Sequence, residues 1–252
     1  MATAPRRIAF FLPNTFTALN MACGFFSIIL GWRGDFNTAA LLLVLGAAFD
    51  SVDGRVARMT GTQSAFGEQF DSISDVVSFG AAPAFLVYNK FFADMGRIGL
   101  VTSFIFLLCG ALRLARFNAN IDRVSSDFFQ GLPIPSGALS MIGIVLLANE
   151  YPEIMEFKKA LVPYVWFFSF LMISNIPFNS FKNSAWVKSH KKRTFVLMIS
   201  IVLATFLYYE VMIEAVILTY TIGCLIYFLK NKDQMGGMFD WKSEYDEEHE
   251  EG

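Results

Sequence analysis

Charge-free runs dominate this chain. They extend over Ile8 to Trp32, Phe36 to Phe49, Val76 to Asn89, Ile98 to Leu112, Phe128 to Asn149, Ala160 to Phe181, Thr194 to Tyr209 and, beyond Glu214, Ala215 to Leu229. A helix that crosses a bilayer needs roughly 20 mostly apolar residues. The pattern therefore predicts eight spans, and the second, third and fourth reach full length only by running on into charged residues at one end. Those charged ends are where chemistry is expected. The first run follows Arg6 and Arg7 but is too long for the apolar core of a signal peptide and is followed by equally apolar segments, so it reads as a span.

Composition agrees: 55% of the 252 residues are hydrophobic and 17% charged, with a mean hydropathy of +0.48, outside the range of soluble domains. The expected fold is an all-α integral membrane protein, a polytopic helical bundle over residues 1–229. An acidic, poorly ordered cytoplasmic tail is expected over 230–252. Of the 20 lysines and arginines, all but Arg33, Lys90, Arg97, Lys158 and Lys159 fall on the side of the N-terminus. That bias predicts both termini in the cytoplasm of a bacterial-type inner membrane. No basic stripe calls for nucleic acid, and lipids are the expected surroundings.

Cys23, Cys109 and Cys224 lie in apolar runs without metal-ligand spacing, and His190 and His249 sit in a basic loop and the acidic tail. Zinc and thiol chemistry are therefore not expected, and a general base has to be a carboxylate or something less common. The carboxylates are conspicuous. Asp50 and Asp53 lie one helical turn apart where the second span ends, and Asp71 and Asp75 lie one turn apart where the third begins. Four acids in an apolar region repel one another unless protons or cations neutralise them, and an oxygen-only donor set suits Mg2+ or Mn2+, with room for two ions. Gly54 and Ala57 lie beside the first pair, where small side chains would admit a nucleotide or diphosphate; Arg58 adds a fork for phosphate oxygens. Taken singly, Gly54, Ala57 and Gly67 also fit close helix packing. A divalent-cation transporter using the same acids is the alternative from another functional class.

The run D-x2-D-G-x2-A-R-x8-G-x3-D-x3-D, complete from Asp50 to Asp75, resembles the signature of the CDP-alcohol phosphotransferases. The resemblance implies a six-span catalytic core followed by two additional C-terminal spans. It further implies Asp50, Asp53 and Asp71 as metal ligands, Asp75 as ligand and base, and Gly54, Ala57, Arg58 and Gly67 around the CDP group. Pro13 to Thr17 with Asn20, Ser78-Phe79-Gly80, Arg113 to Asn118 and Gly131 to Pro135 resemble the branch of that family whose acceptor is L-serine. CDP-diacylglycerol and L-serine are then the expected substrates, with phosphatidylserine and CMP as products. Glycerol 3-phosphate or inositol phosphate are the alternative acceptors.

Thr17 and Asn20 recur at helical spacing and either face the nucleotide or bond between helices. Ser78, Arg113 and Arg116 are the candidate acceptor contacts. Against them stand a packing hydroxyl for Ser78 and simple positive-inside anchoring for the arginines. The last two spans read as packing helices or an oligomer surface, a homodimer included.

Overall fold

The computed structural model describes residues 7–120, 128–179 and 191–232; most of the acidic tail, with His190 and His249, lies outside them. Eight helices run through the described residues: α1 (Arg7–Trp32), α2 (Phe36–Thr60), α3 (Ala65–Phe92), α4 (Arg97–Ala119), α5 (Ile134–Glu150), α6 (Leu161–Ile173), α7 (Lys191–Leu207) and α8 (Tyr209–Lys230). Four of these, α1 from Phe11, α3, α4 and α8, are long and apolar enough to cross a bilayer by length and composition. The fold is an all-α polytopic membrane bundle, and its rim of exposed Phe25, Phe26, Trp32, Phe104 and Phe170 is apolar, as a lipid-facing surface requires.

Local chemistry sets the ends of the helices that carry the acids. Asp35 caps α2, its carboxylate accepting from the Thr38 N–H at 3.1 Å. Helix α2 runs past Phe49 to Thr60 and stops at Gly61, whose φ of +64° is the left-handed conformation that glycine adopts without a Cβ penalty. Three residues later Ser64 caps α3 by accepting from the Gly67 N–H at 3.1 Å. This tight α2–α3 turn brings the two aspartate pairs to one end of the bundle.

Helix α3 contains two wide π turns, Val76–Ala81 and Tyr88–Phe92. The first lies directly before Pro83, whose missing N–H removes a normal backbone bond, and the widened turn absorbs the mismatch. Helices α1, α2 and α3 meet closely. A Cβ on Gly24 would stand 2.7 Å from the Ser78 Cα, and one on Gly46 would stand 2.9 Å from Asn20 Oδ1. Buried Leu43, Phe79, Leu86, Phe91, Phe106 and Phe168 fill the interior.

Three boundaries differ from the hydrophobic runs. The fifth run begins not as helix but as β1 (Phe128–Gln130), which pairs antiparallel with β2 (Pro177–Asn179) from the end of the sixth run, Phe129 opposite Phe178. Gly131 then turns with φ +73°, in a place where a Cβ would meet the Met172 carbonyl oxygen at 2.4 Å. Pro133 and Pro135 start α5 beyond that turn, and α6 stops at Ile173. Finally, α8 begins at Tyr209 and includes Glu214, which accepts a hydrogen bond from the Tyr164 hydroxyl and so needs no place outside the helix.

Candidate active site

Asp50, Asp53 and Asp71 each offer a carboxylate oxygen within 4.8 Å of the others. Asp53 is 5% exposed and accepts from the Thr17 hydroxyl at 2.8 Å, a bond that ties α1 to α2. Asp75 lies outside that group of three but adjoins it. Its carboxyl stands in hydrogen-bonding contact with that of Asp50, and Asn20 Nδ2 donates to its Oδ1 at 3.4 Å. The α1–α3 seam holds these groups in register: Ser74 donates to the Thr17 carbonyl at 3.0 Å and Ser78 to the Asn20 carbonyl at 2.9 Å.

A cavity of about 290 Å³ opens beside the aspartates. Thr17, Asp53, Gly54, Ala57, Arg58, Gly67 and Asp71 all line it, so the sequence-predicted nucleotide residues other than Asn20 converge on one space. Gly54 keeps that space open. A Cβ there would meet only the Arg58 guanidinium, at 3.6 Å, so the glycine faces the cavity rather than a neighbouring helix. Asn20 sits beneath the cavity, on Asp75, and does not line it.

Thr62, Gln63, Ser64 and Glu68 also line the cavity and were not singled out from the sequence, and Phe117 lines it as well. The first three occupy the α2–α3 turn, inside the eight-residue spacer that the signature leaves unspecified. Phe117 arrives from α4, 46 residues beyond Asp71 in the chain. It belongs to the Arg113–Asn118 segment that the family resemblance brought out.

The residues fit a hard divalent cation. Three oxygen donors converge without an ion pair to any lysine or arginine among the described residues, where Lys158–Asp94 is the one pair found. Asp71 Oδ1 is moreover buried without a hydrogen-bond partner among them. A buried carboxylate oxygen left in this way is costly unless a proton or cation occupies it. All-oxygen ligation favours Mg2+ or Mn2+ over softer metals.

The three candidate acceptor residues separate. Ser78 is fully buried and bonded to α1. Arg116 donates to the backbone carbonyls of Gln130, Met172, Ile173 and Ser174 and to Asn175 Oδ1, at 2.7–3.3 Å. It thereby caps the C-terminus of α6 and secures the β1–β2 pair, the position where a cation best satisfies orphaned carbonyls. Arg113 is 7% exposed and lies within electrostatic reach of Asp75.

The sequence profile described as CDP-alcohol phosphatidyltransferase matches residues 10–171, which contain the whole aspartate site and nearly all of α1 to α6. The chain is 38% identical over 178 residues to a CDP-diacylglycerol--serine O-phosphatidyltransferase of Helicobacter pylori, spanning 70% of this chain and 75% of that protein. It is 43% identical over 171 residues to the protein of the same name from Methanocaldococcus jannaschii, 68% and 75% of the two chains. A Mycobacterium leprae protein of that name is 34% identical over 226 residues, 83% of this chain and 71% of its own. A profile match over more than half the chain, centred on the helices that carry the four aspartates, makes this protein a member of the CDP-alcohol phosphatidyltransferase family, an enzyme of phospholipid synthesis.

Proposed function

We propose that the protein transfers the phosphatidyl group of CDP-diacylglycerol to the hydroxyl of L-serine, giving phosphatidylserine and CMP. The observation that carries this reading is the convergence of Asp50, Asp53 and Asp71, of which Asp53 and Asp71 line a cavity together with Gly54, Ala57 and Arg58. The choice of serine is supported by the relatives, which share that name across most of the chain.

Residues 1–229 act as one membrane-embedded catalytic unit, with the site facing the cytoplasm as the distribution of basic residues suggests. CDP-diacylglycerol keeps its acyl chains in lipid while its CDP group enters the cavity over Gly54 and Ala57. Arg58 contacts phosphate oxygens of the diphosphate. Asp50, Asp53 and Asp71 hold the divalent cation, Mg2+ or Mn2+, and Asp75 adjoins them as a further carboxylate ligand where two ions bind. When bound, the cation supplies Lewis-acid stabilisation of negative charge on the diphosphate. Thr17 fixes the orientation of Asp53, and Asn20 that of Asp75. Asp75 takes the proton of the serine hydroxyl. The serine oxygen forms a bond to the phosphorus that bears diacylglycerol, the bond from that phosphorus to the oxygen of CMP breaks, and CMP departs.

The test is CMP release by the purified protein from CDP-diacylglycerol with Mn2+, supplying serine, glycerol 3-phosphate or inositol phosphate separately. Release that requires serine, with equimolar phosphatidylserine, is expected. Release driven only by a phosphorylated acceptor would overturn the serine reading and keep the chemistry.

A further inference from the structure

Arg113 presents an unsolved electrostatic problem. It sits on α4 inside the bundle, 7% exposed, and its Nε is buried without a hydrogen-bond partner among the described residues. Phe117 lies 5.9 Å away under the guanidinium, which offsets only a fraction of the cost of removing a permanent cation from water. Of the carboxyls, Asp75 is the one within electrostatic reach, and it already faces Asp50 and Asn20. Arg116, one turn on, has its N–H groups committed to the end of α6. Two arginines at helical spacing thus have different fates, one satisfied by backbone and one still in need of an anion.

Serine's hydroxyl and carboxylate are separated only by its Cα and Cβ. If Asp75 receives the hydroxyl proton, the anchor for the carboxylate has to lie on the same side of the site, and Arg113 packs over Phe117, which lines the aspartate cavity.

We propose that Arg113, and not Arg116, receives the carboxylate of an amino-acid acceptor. The assignment rests on the serine reading above.

The test compares kcat/KM for L-serine with that for L-serinamide, which keeps the hydroxyl and the amino group but lacks the carboxylate. The unaltered protein is expected to favour serine by about 100-fold, the upper range for one charged hydrogen-bonded contact. Arg113→Gln should bring the ratio within a few-fold of unity. Arg113→Lys, which keeps the charge and serves if the glutamine variant does not fold, should give an intermediate ratio. Arg116→Gln should leave the ratio unchanged whatever its loss in yield. Serine-dependent turnover with an undiminished ratio in the Arg113 variants, or a ratio that collapses in Arg116→Gln, overturns the assignment alone. No serine-dependent CMP release from the unaltered protein overturns the acceptor reading and this assignment together.

Discussion

Asp53 illustrates how single side chains at this site are fixed by more than one helix. Its helix, α2, presents it to the cavity, but the Thr17 hydroxyl of α1 decides which way its carboxylate points. Orienting partners of metal-binding carboxylates commonly matter as much as 10–100-fold in affinity or activity. Thr17→Val keeps the shape and removes the donor. It is therefore expected to weaken the activating Mn2+ concentration about 10-fold with little change in the KM for serine, as measured by titrating metal into the CMP-release assay. An unchanged metal dependence would remove Thr17 from the site. At this scale the sequence was informative, because four acids in an apolar region have few physical explanations. It was least informative for Arg113 and Arg116, which share a helix, a charge and a spacing. Only the carbonyls at the end of α6, brought near by folding, tell them apart.

At the scale of elements, the hydrophobic runs predicted the helices well wherever one run made one helix, as in α1 and α4. They failed where a run changed conformation without changing polarity. Phe128–Gln130 and Pro177–Asn179 are apolar or uncharged strands of three residues each, too short for alternation to register, and they pair across nearly 50 residues of chain. Gly131, Pro133 and Pro177 were the available signals, since each is poorly suited to a helix interior.

Glu214 was placed between spans because a charge in a span is costly. In the fold it is 4% exposed, accepts from Tyr164, and packs where a Cβ on Gly143 would stand 3.0 Å from its own Cα. Glu214→Gln retains an acceptor for Tyr164 and is expected to be nearly neutral. Glu214→Ala leaves that hydroxyl with Ser140 as its partner, beside a void, and should cost about 1–3 kcal/mol. Thermal unfolding in detergent distinguishes these, and equal midpoints for the two variants would contradict this role of Glu214 in seating α8 on α5.

For the molecule as a whole, the bundle divides at residue 171. The matched segment supplies the aspartates, the cavity and both arginines, while α8 packs on α5. Interior and lipid-facing surfaces differ little in polarity, so hydropathy revealed that the chain spans a membrane but not which helices touch. That information lies in small residues such as Gly24 and Gly46, whose close approaches became evident only with the partners in place.

The central claim is that the converging carboxylates hold a divalent cation on which phosphatidyl transfer depends. Its most direct test is CMP release from CDP-diacylglycerol and serine by chelator-treated protein as Mn2+ is returned, beside an Asp71→Asn variant. Restoration by Mn2+ in the unaltered protein, with a loss of at least about 100-fold in the variant, is the predicted result. Full turnover after chelation, or equal turnover by the variant, would contradict it.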